Sequence, residues 1–209
     1  MKAVKFFIVI FLSIHFSTHA QSSKVSNRYS NDSLNAKANQ LKRLYKLATS
    51  SSTGVSNIYK RQFFDAFPNT FKQLDELYGD NNDINNKPSL LNNQAEDHII
   101  HLFNELTTIN DTLYYKKIIS IAKNGHWDAD AINFFQHGLE QKVLKKPILV
   151  VYILKNMSDD NIYGFWHFYF DQPYPDKQVV EPLQKIKSIN NKIYDLMIKA
   201  HNEILKQDK

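Results

Sequence analysis

The stretch DADAINFFQHGLEQKVLKKPILVVYIL, residues 128–154, decides the fold class of this chain. Its first half places apolar side chains on one side of a helix, because their spacing of three, four and four residues matches the helical repeat. These inner positions are Ile132, Phe135, Leu139 and Val143. Pro147 then favours the start of a second helix, since proline suits a first helical turn. The apolar run behind it predicts a buried helix, with a strand as the alternative.

The same helical spacing recurs through most of the chain, and breaks in it predict where helices begin and end. Pro68 interrupts one helix, and Gly79 and Gly125 end two others. Ser158 begins a further helix as its N-cap residue. Alternating β-branched runs, which are typical of strands, are hard to find. The sequence therefore predicts an all-α protein, built as a single irregular bundle of about eight helices.

The first twenty residues have the layout of a secretory signal peptide. Lys2 and Lys5 precede an apolar run, and small or polar residues lead to Ala20, which predicts cleavage before the next residue. The apolar run is too short to span a bilayer, which takes roughly 20 apolar residues. We expect a periplasmic or secreted protein with three parts: a signal peptide over residues 1–20, a flexible leader over 21–33 and a single all-helical domain over 34–209.

The composition excludes several classes of protein. The chain of 209 residues carries a formal net charge of +5, a surplus too small to predict a nucleic-acid-binding face. It has no cysteine, which excludes a disulfide framework, thiol catalysis and a cysteine-linked lipid anchor. The sequence also lacks a phosphate loop, a dinucleotide fingerprint, a nucleophile elbow and an EF-hand loop. We therefore expect no cofactor.

The segment GHWDADAINFFQHG, residues 125–138, is the first candidate site, because it groups histidines and aspartates. His126, Asp128 and Asp130 are candidate catalytic residues for metal or acid–base chemistry. Asp128 also has a structural interpretation as a helix N-cap, and Asp130 would then lie in the first helical turn. Asp130 and His137 cannot share a metal ion, because they are seven positions apart, which corresponds to about 10 Å along a helix.

The segment AEDHIIHLFNEL, residues 95–106, holds His98 and His101 as candidate metal ligands. A zinc helix of the HExxH type has its histidines four residues apart, whereas these two are three apart. Polar residues share their side of the helix and apolar residues occupy the other side, which favours a solvated face. The sequence therefore predicts that both histidines lie at the surface and bind no metal.

Aromatic side chains provide the candidate binding residues. The run FWHFYF, residues 165–170, is the densest in the chain, and Trp166 within it and Tyr174 beyond it are candidates for contact with a ligand or partner. Trp127 is a further candidate, since it lies between a glycine helix stop and an acidic cap. Six consecutive, mostly apolar residues cover every side of a helix, however, which favours burial of the run in the core.

Three segments of the chain carry a resemblance when they are taken together. They are FFDAFPNTF at 63–71 with LYG at 77–79, GHWDADAINFFQHGL at 125–139, and FWHFYFDQPYP at 165–175. Together they resemble a group of exported, all-helical proteins of Bacteroidota that has no assigned activity. The resemblance covers the chain from about Ile58 to the C-terminal helix. It implies an all-helical fold and export, and it transfers no catalytic residue.

Two functions from different classes follow from these patterns. The leading hypothesis is an exported, non-enzymatic helical protein that binds another macromolecule, and exposed polar loops at 49–57 and 80–93 support it. One form of it is an immunity or inhibitor protein for an envelope toxin or hydrolase, so we expect a protein partner in the cell envelope or outside the cell. The alternative is a metal-dependent hydrolase that uses His126, Asp128 and Asp130 with histidines from the 98–101 helix.

Overall fold

The computed structural model describes residues 19–80, 89–128 and 130–207. These residues form helices and turns but no strand, which confirms the predicted all-α class. The helices are α1 (His19–Ser50), α2 (Thr53–Ala66), α3 (Phe71–Tyr78), α4 (Ala95–Asn104), α5 (Asp111–Ala122), α6 (Ala131–Lys145), α7 (Pro147–Leu154), α8 (Asp159–Phe170), α9 (Glu181–Gln184), α10 (Ile186–Ile189) and α11 (Asn191–Gln207).

The N-terminal part of the chain is helical over a longer range than the sequence predicted. Helix α1 begins at His19, so residues 21–33 belong to a helix rather than to an irregular leader. No glycine or proline occurs between residues 19 and 50, which leaves this helix without a local stop. Apart from its last two residues, the predicted signal peptide lies outside the described residues. The chain divides into two compact units, Met1–Leu34 and Asn35–Lys209.

Several helix ends lie at or near the predicted residues. Helix α2 ends two residues before Pro68, and Ser158 caps α8 by accepting a hydrogen bond from the backbone N–H of Asn161 at 3.4 Å. Helix α7 begins at Pro147, so the alternative of a strand there is wrong. Gly79 ends α3 as predicted, but with an extended backbone at φ −61° rather than a left-handed one.

The two predicted polar loops are shorter than expected or only partly described. The first, at 49–57, is reduced to residues 51–52, because α1 and α2 extend into it from both sides. Most of the second, residues 81–88, lies outside the described residues, and residues 92–94 form a single 3-10 turn before α4. None of the helices in the described ranges is both long and apolar enough to cross a membrane.

Helix α8 provides much of the hydrophobic core. Phe165, Trp166 and Phe168 are fully buried, and the rings of Phe165 and Trp166 meet edge to face with centroids 4.9 Å apart. Helix α11 packs along α8, and α6 packs along α4. The aromatic run therefore belongs to the core, where Phe168 contacts Phe71 of α3 and Phe135 of α6 and Phe170 contacts His201 of α11.

Helices α4 and α6 approach each other closely at one glycine. A Cβ atom added to Gly138 would overlap the ring of Phe103, with three ring carbons within 2.7 Å of it. Phe103 is itself held edge-on against Phe135, with ring centroids 5.3 Å apart. The contact therefore depends on the missing side chain of glycine rather than on its backbone freedom.

Candidate functional site

A cleft of about 350 Å³ opens beside the GHWDADAINFFQHG segment, and we call it the corner cleft. It lies between α3 and the end of α5, and its lining includes Phe71, Asp75, Lys123 and His126. The imidazole of His126 packs against Phe71, with ring centroids 4.8 Å apart. The volume of the corner cleft lies near the lower end of the range of ~300–1,000 Å³ that is typical of small-molecule sites.

Two contacts fix the chain next to the corner cleft. A Cβ atom on Gly125 would lie 2.5 Å from the ring of Phe168, so only glycine allows this approach to α8. The backbone N–H of Trp127 donates to Asp171 Oδ2 at 2.7 Å. His126 lies between these two anchored residues, which places its ring at the edge of the cleft.

Asp75 of α3 is a candidate that the sequence did not reveal. Burial raises the pKa of its carboxyl group, the charge of His126 lowers this pKa, and the like charges of Asp128 and Glu76 raise it further. A carboxyl group with a raised pKa beside an imidazole is a common arrangement at functional sites. Asp75 and His126 are therefore the two titratable candidates that line the corner cleft.

The predicted positions of Asp128 and Asp130 at the helix start are wrong. Helix α6 begins at Ala131, and its N-cap is Asp130, whose side chain makes no capping hydrogen bond. Asp130 has φ 52°, and it is the one non-glycine residue with positive φ in the described part of the chain. This strained turn delays the helix start. Asp128 lies before the turn, and its charge acts on Asp75.

The predicted solvated position of His98 and His101 is also wrong. Both are buried, with exposed fractions of 1% and 3%. The Nδ1 atom of His98 lies 3.0 Å from the hydroxyl of Tyr78. The rings of Tyr45 and Phe63 lie between 4.8 and 5.4 Å from the two imidazoles, measured between centroids. Helix α4 is thus covered on two sides, and its exposed positions are Glu96, Asp97, Ile100 and Asn104.

Burial keeps both imidazoles neutral at pH 7. It lowers the pKa of His98 from 6.5 to about 4, and the charges of His101 and Lys42 act in the same direction. Burial likewise lowers the pKa of His101 to about 4, aided by Lys60 and opposed by Glu105. The Nε2 atoms of both rings are buried without a hydrogen-bond partner in the described residues. Protonation of either ring would therefore place a charge in a mostly aromatic environment.

The residues of the hypothetical metal-dependent hydrolase lie in separate places. His126 lines the corner cleft, whereas His101 borders a different cleft of about 430 Å³. No group of three or more histidine, aspartate or glutamate side chains in the described ranges could hold one metal ion. The structure therefore does not assemble the ligand set that this hypothesis requires within those ranges.

The three aromatic candidates differ in accessibility. Trp166 is fully buried, so its predicted role in contact with a partner is wrong. Trp127 is 38% exposed next to the corner cleft, and Tyr174 is 92% exposed in the turn after α8. These two side chains remain able to contact a ligand or a protein.

The outer side of α7 is apolar although it is exposed. Ile148 is 66% exposed and Tyr152 is 55% exposed. Helix α10 packs against α7 and ends at Ile189, which is 45% exposed. We call Ile148 and Tyr152 the α7 face. The sequence predicted a helix buried on nearly all sides, and this side is the exception.

Comparison of the chain with models of protein families, with characterised proteins and with solved structures gave no significant match. The resemblance to exported helical proteins of Bacteroidota therefore stays a prediction. Function has to be argued from the geometry of the clefts and of the α7 face.

Proposed function

We propose that this chain is an exported, non-enzymatic helical protein that acts by binding another protein. The signal-peptide pattern of residues 1–20 supports export. The exposed apolar α7 face supports binding, and it is the observation on which the proposal depends most.

Exposure of the α7 face is unfavourable for an isolated protein. Burial of apolar surface stabilises by roughly 25 cal/mol per Å², and these side chains forgo most of that gain. Single exposed apolar residues are ordinary, but Ile148 and Tyr152 are four residues apart on one helix and are therefore neighbours on its surface. Tyrosine is also enriched in protein interfaces. A partner that covers the α7 face would recover the free energy of burial.

The charges around the α7 face indicate the chemistry of the partner. Residues 141–158 contain no aspartate or glutamate, and their exposed lysines are Lys145 and Lys155. The Nζ atom of Lys155 lies 4.2 Å above the ring of Tyr152. Complementary charge steers association and selects partners. We therefore expect an apolar patch bordered by acidic residues on the partner, and an immunity or inhibitor protein for an envelope toxin or hydrolase is one form of this function.

Charged substitutions on the α7 face should weaken the complex. The double variant Ile148→Glu/Tyr152→Glu removes the apolar side chains and places two negative charges opposite an acidic partner. We expect its affinity to fall at least tenfold, which corresponds to about 1.4 kcal/mol. The partner is first captured from an envelope extract with the tagged mature protein, and its affinity is then measured with both components purified.

Ile58→Glu provides the matched control for this experiment. Ile58 is 58% exposed on α2, so the substitution has the same chemistry at a comparable exposure. We expect the control variant to bind as the unaltered protein does. Equal losses in both variants, or no loss in the double variant, would contradict the proposal.

A second candidate function is hydrolysis, and the observation that favours it is that a carboxyl group with a raised pKa, Asp75, lines the same cleft as His126. Because the pKa of Asp75 is raised in the folded protein, the protonated carboxyl group stabilises the fold below pH 3.8. This stabilisation is lost as the pH rises through the pKa of Asp75 in the folded protein. Asp75→Asn should therefore raise the free energy of unfolding at pH 7, by less than about 1 kcal/mol because the side chain is only half buried. Urea unfolding at pH 7 and pH 3 checks this.

The same variant separates the two candidate functions. If the purified protein hydrolyses a chromogenic ester or peptide and Asp75→Asn abolishes that activity, hydrolysis gains over binding. If Asp75→Asn is stabilised at pH 7 and still binds the partner, the corner cleft does not carry the proposed function. A variant that is destabilised at pH 7 would show that the carboxylate is favourable in the folded protein.

A further inference from the structure

A second cleft, of about 230 Å³, lies where α6 ends, and we call it the lysine cleft. The turn after α4, the start of α5 and the last turn of α6 form its walls. Three lysines line it together with a single carboxylate, and these charged residues are Lys142, Lys145, Lys146 and Asp111. The cleft therefore carries an excess of positive charge in a small volume.

The ion pairs in the described residues leave part of this positive charge unmatched. Lys146 pairs with Asp111, whereas neither Lys142 nor Lys145 pairs with a carboxylate there. Burial lowers the pKa of Lys142, the charges of Lys145 and Lys146 lower it further, and Asp111 opposes them. An anion in the cleft would offset this repulsion.

Helix capping explains only part of the lysine cluster. A lysine in the last turn of a helix stabilises it, because its positive charge lies near the negative end of the helix dipole. This accounts for the exposed Lys145. The backbone carbonyl of Lys142, however, already accepts a hydrogen bond from the Tyr115 hydroxyl at 2.8 Å. The Lys142 side chain instead lies over the ring of Tyr114, with Nζ 5.6 Å from the ring centroid. Its ammonium group is therefore placed above the cleft floor.

The floor of the lysine cleft is apolar. The side chains that form it expose only a small fraction of their surface, between 2% and 7%. They are Phe103, Leu106, Ile109, Tyr114 and Tyr115. Both tyrosine hydroxyls are engaged elsewhere, since Tyr114 donates to the carbonyl of Leu102 at 3.1 Å and Tyr115 donates to Lys142. The rings rather than the hydroxyls are left to contact a ligand.

We propose that the lysine cleft binds a small carboxylate carried on a flat apolar body. The body would contact the aromatic floor, and Lys142 and Lys145 would bind the carboxylate. The cleft is smaller than the ~300–1,000 Å³ of drug-sized sites, which limits the ligand to about one ring. Charge-assisted hydrogen bonds from two ammonium groups would orient it.

Titration with benzoate and with benzamide tests this site on the purified protein. The two probes have nearly the same shape, but only benzoate is charged at pH 7. We expect chemical-shift changes of the cleft residues with benzoate, at half-saturation in the millimolar range or below, and at least tenfold weaker binding of benzamide. Inorganic phosphate, which lacks an apolar body, should also bind at least tenfold more weakly than benzoate.

Lys142→Gln and Lys145→Gln should each weaken benzoate binding, with a loss of at least tenfold for Lys142→Gln. Lys185→Gln is the matched control, because Lys185 is an exposed lysine that pairs with Glu181 at 2.9 Å outside the cleft. Melting curves verify that the variants are folded. If Lys142→Gln does not fold, Lys145→Gln still tests the proposal. Equal binding of benzoate and benzamide, or unchanged binding by both cleft variants, would overturn the proposal.

Discussion

Acidification from pH 7 to pH 4 should destabilise the folded protein strongly through His98 and His101. Each imidazole has a pKa near 6.5 in an unfolded chain and about 4 in the folded protein. Between these values the unfolded chain binds more protons, so the free energy of unfolding falls as the pH falls. The difference is worth roughly 3 kcal/mol for each histidine at 1.36 kcal/mol per pH unit. Chemical unfolding at pH 7, 6, 5 and 4 measures it.

His101→Phe isolates this contribution from the general effect of acid on carboxylates. Phenylalanine does not titrate, and its ring suits a site where Tyr45 and Phe63 already contact the imidazole. Carboxylates lower the free energy of unfolding at acidic pH in the variant and in the unaltered protein alike. Of the remaining loss between pH 7 and pH 4, we expect the variant to show about half. His137→Gln is the control, since His137 is exposed and its ring nitrogen lies 2.9 Å from the side-chain amide of Gln141. Identical pH profiles for all three proteins would contradict the buried, neutral state of these histidines.

Gly138→Ala should destabilise the protein by about 2 kcal/mol. The new methyl group would overlap the ring of Phe103, which cannot move freely because Phe135 contacts its edge. Overpacking of a core typically costs about 1–3 kcal/mol, while replacement of glycine by alanine in a helix returns up to about 1 kcal/mol. We expect the steric cost to dominate here, because the neighbouring atoms belong to a rigid ring. Thermal and urea unfolding give the value.

Gly54→Ala is the matched substitution for this prediction. Gly54 lies in α2, and a Cβ atom there would have no neighbour within 4 Å. Without a steric cost, the helix propensity of alanine should leave the protein equally stable or slightly more stable. Opposite signs for the two variants are the expected outcome. A stabilising effect of Gly138→Ala would show that α4 and α6 are less closely packed at this point than the structure indicates.

Local signals in the sequence were enough to predict the all-α class and several helix starts. Pro147 and Ser158 act through their own backbone and side-chain chemistry, so the starts of α7 and α8 follow from a few neighbouring residues. The start of α6 was predicted too early, with Asp128 as its cap and Asp130 in its first turn, whereas Asp130 is the N-cap residue. The positive φ of Asp130 decided between them, and no residue in the segment requires that conformation.

Burial on the second side of α4 could not be predicted from its own segment. An amphipathic pattern identifies one apolar side, but His98 and His101 lie on a side that three other helices cover with aromatic rings. Asp75 was missed for a similar reason. Its environment comes from His126 and Asp128, which are about fifty residues away in sequence. Helical periodicity carries no information on such contacts.

The exposure of one side of α7 could not be predicted from the sequence either. The composition of this helix favours burial on all sides, but only half of its eight residues are buried, namely Val150, Val151, Ile153 and Leu154. Ile148 and Tyr152 are exposed only because no helix in the described residues covers them. Which side of an apolar helix stays uncovered depends on the arrangement of the other helices, so the α7 face could be found only in three dimensions.

Site-specific photo-crosslinking at position 152 tests the proposed function most directly. A photoreactive amino acid replaces Tyr152 in one variant and Ile58 in another, and both are expressed and irradiated in the cells that produce the protein. Binding through the α7 face predicts one discrete crosslinked product from position 152 and none from position 58, and mass spectrometry should find an acidic surface next to the crosslinked residue of the partner. The absence of a product at position 152, or the same products from both positions, would contradict it.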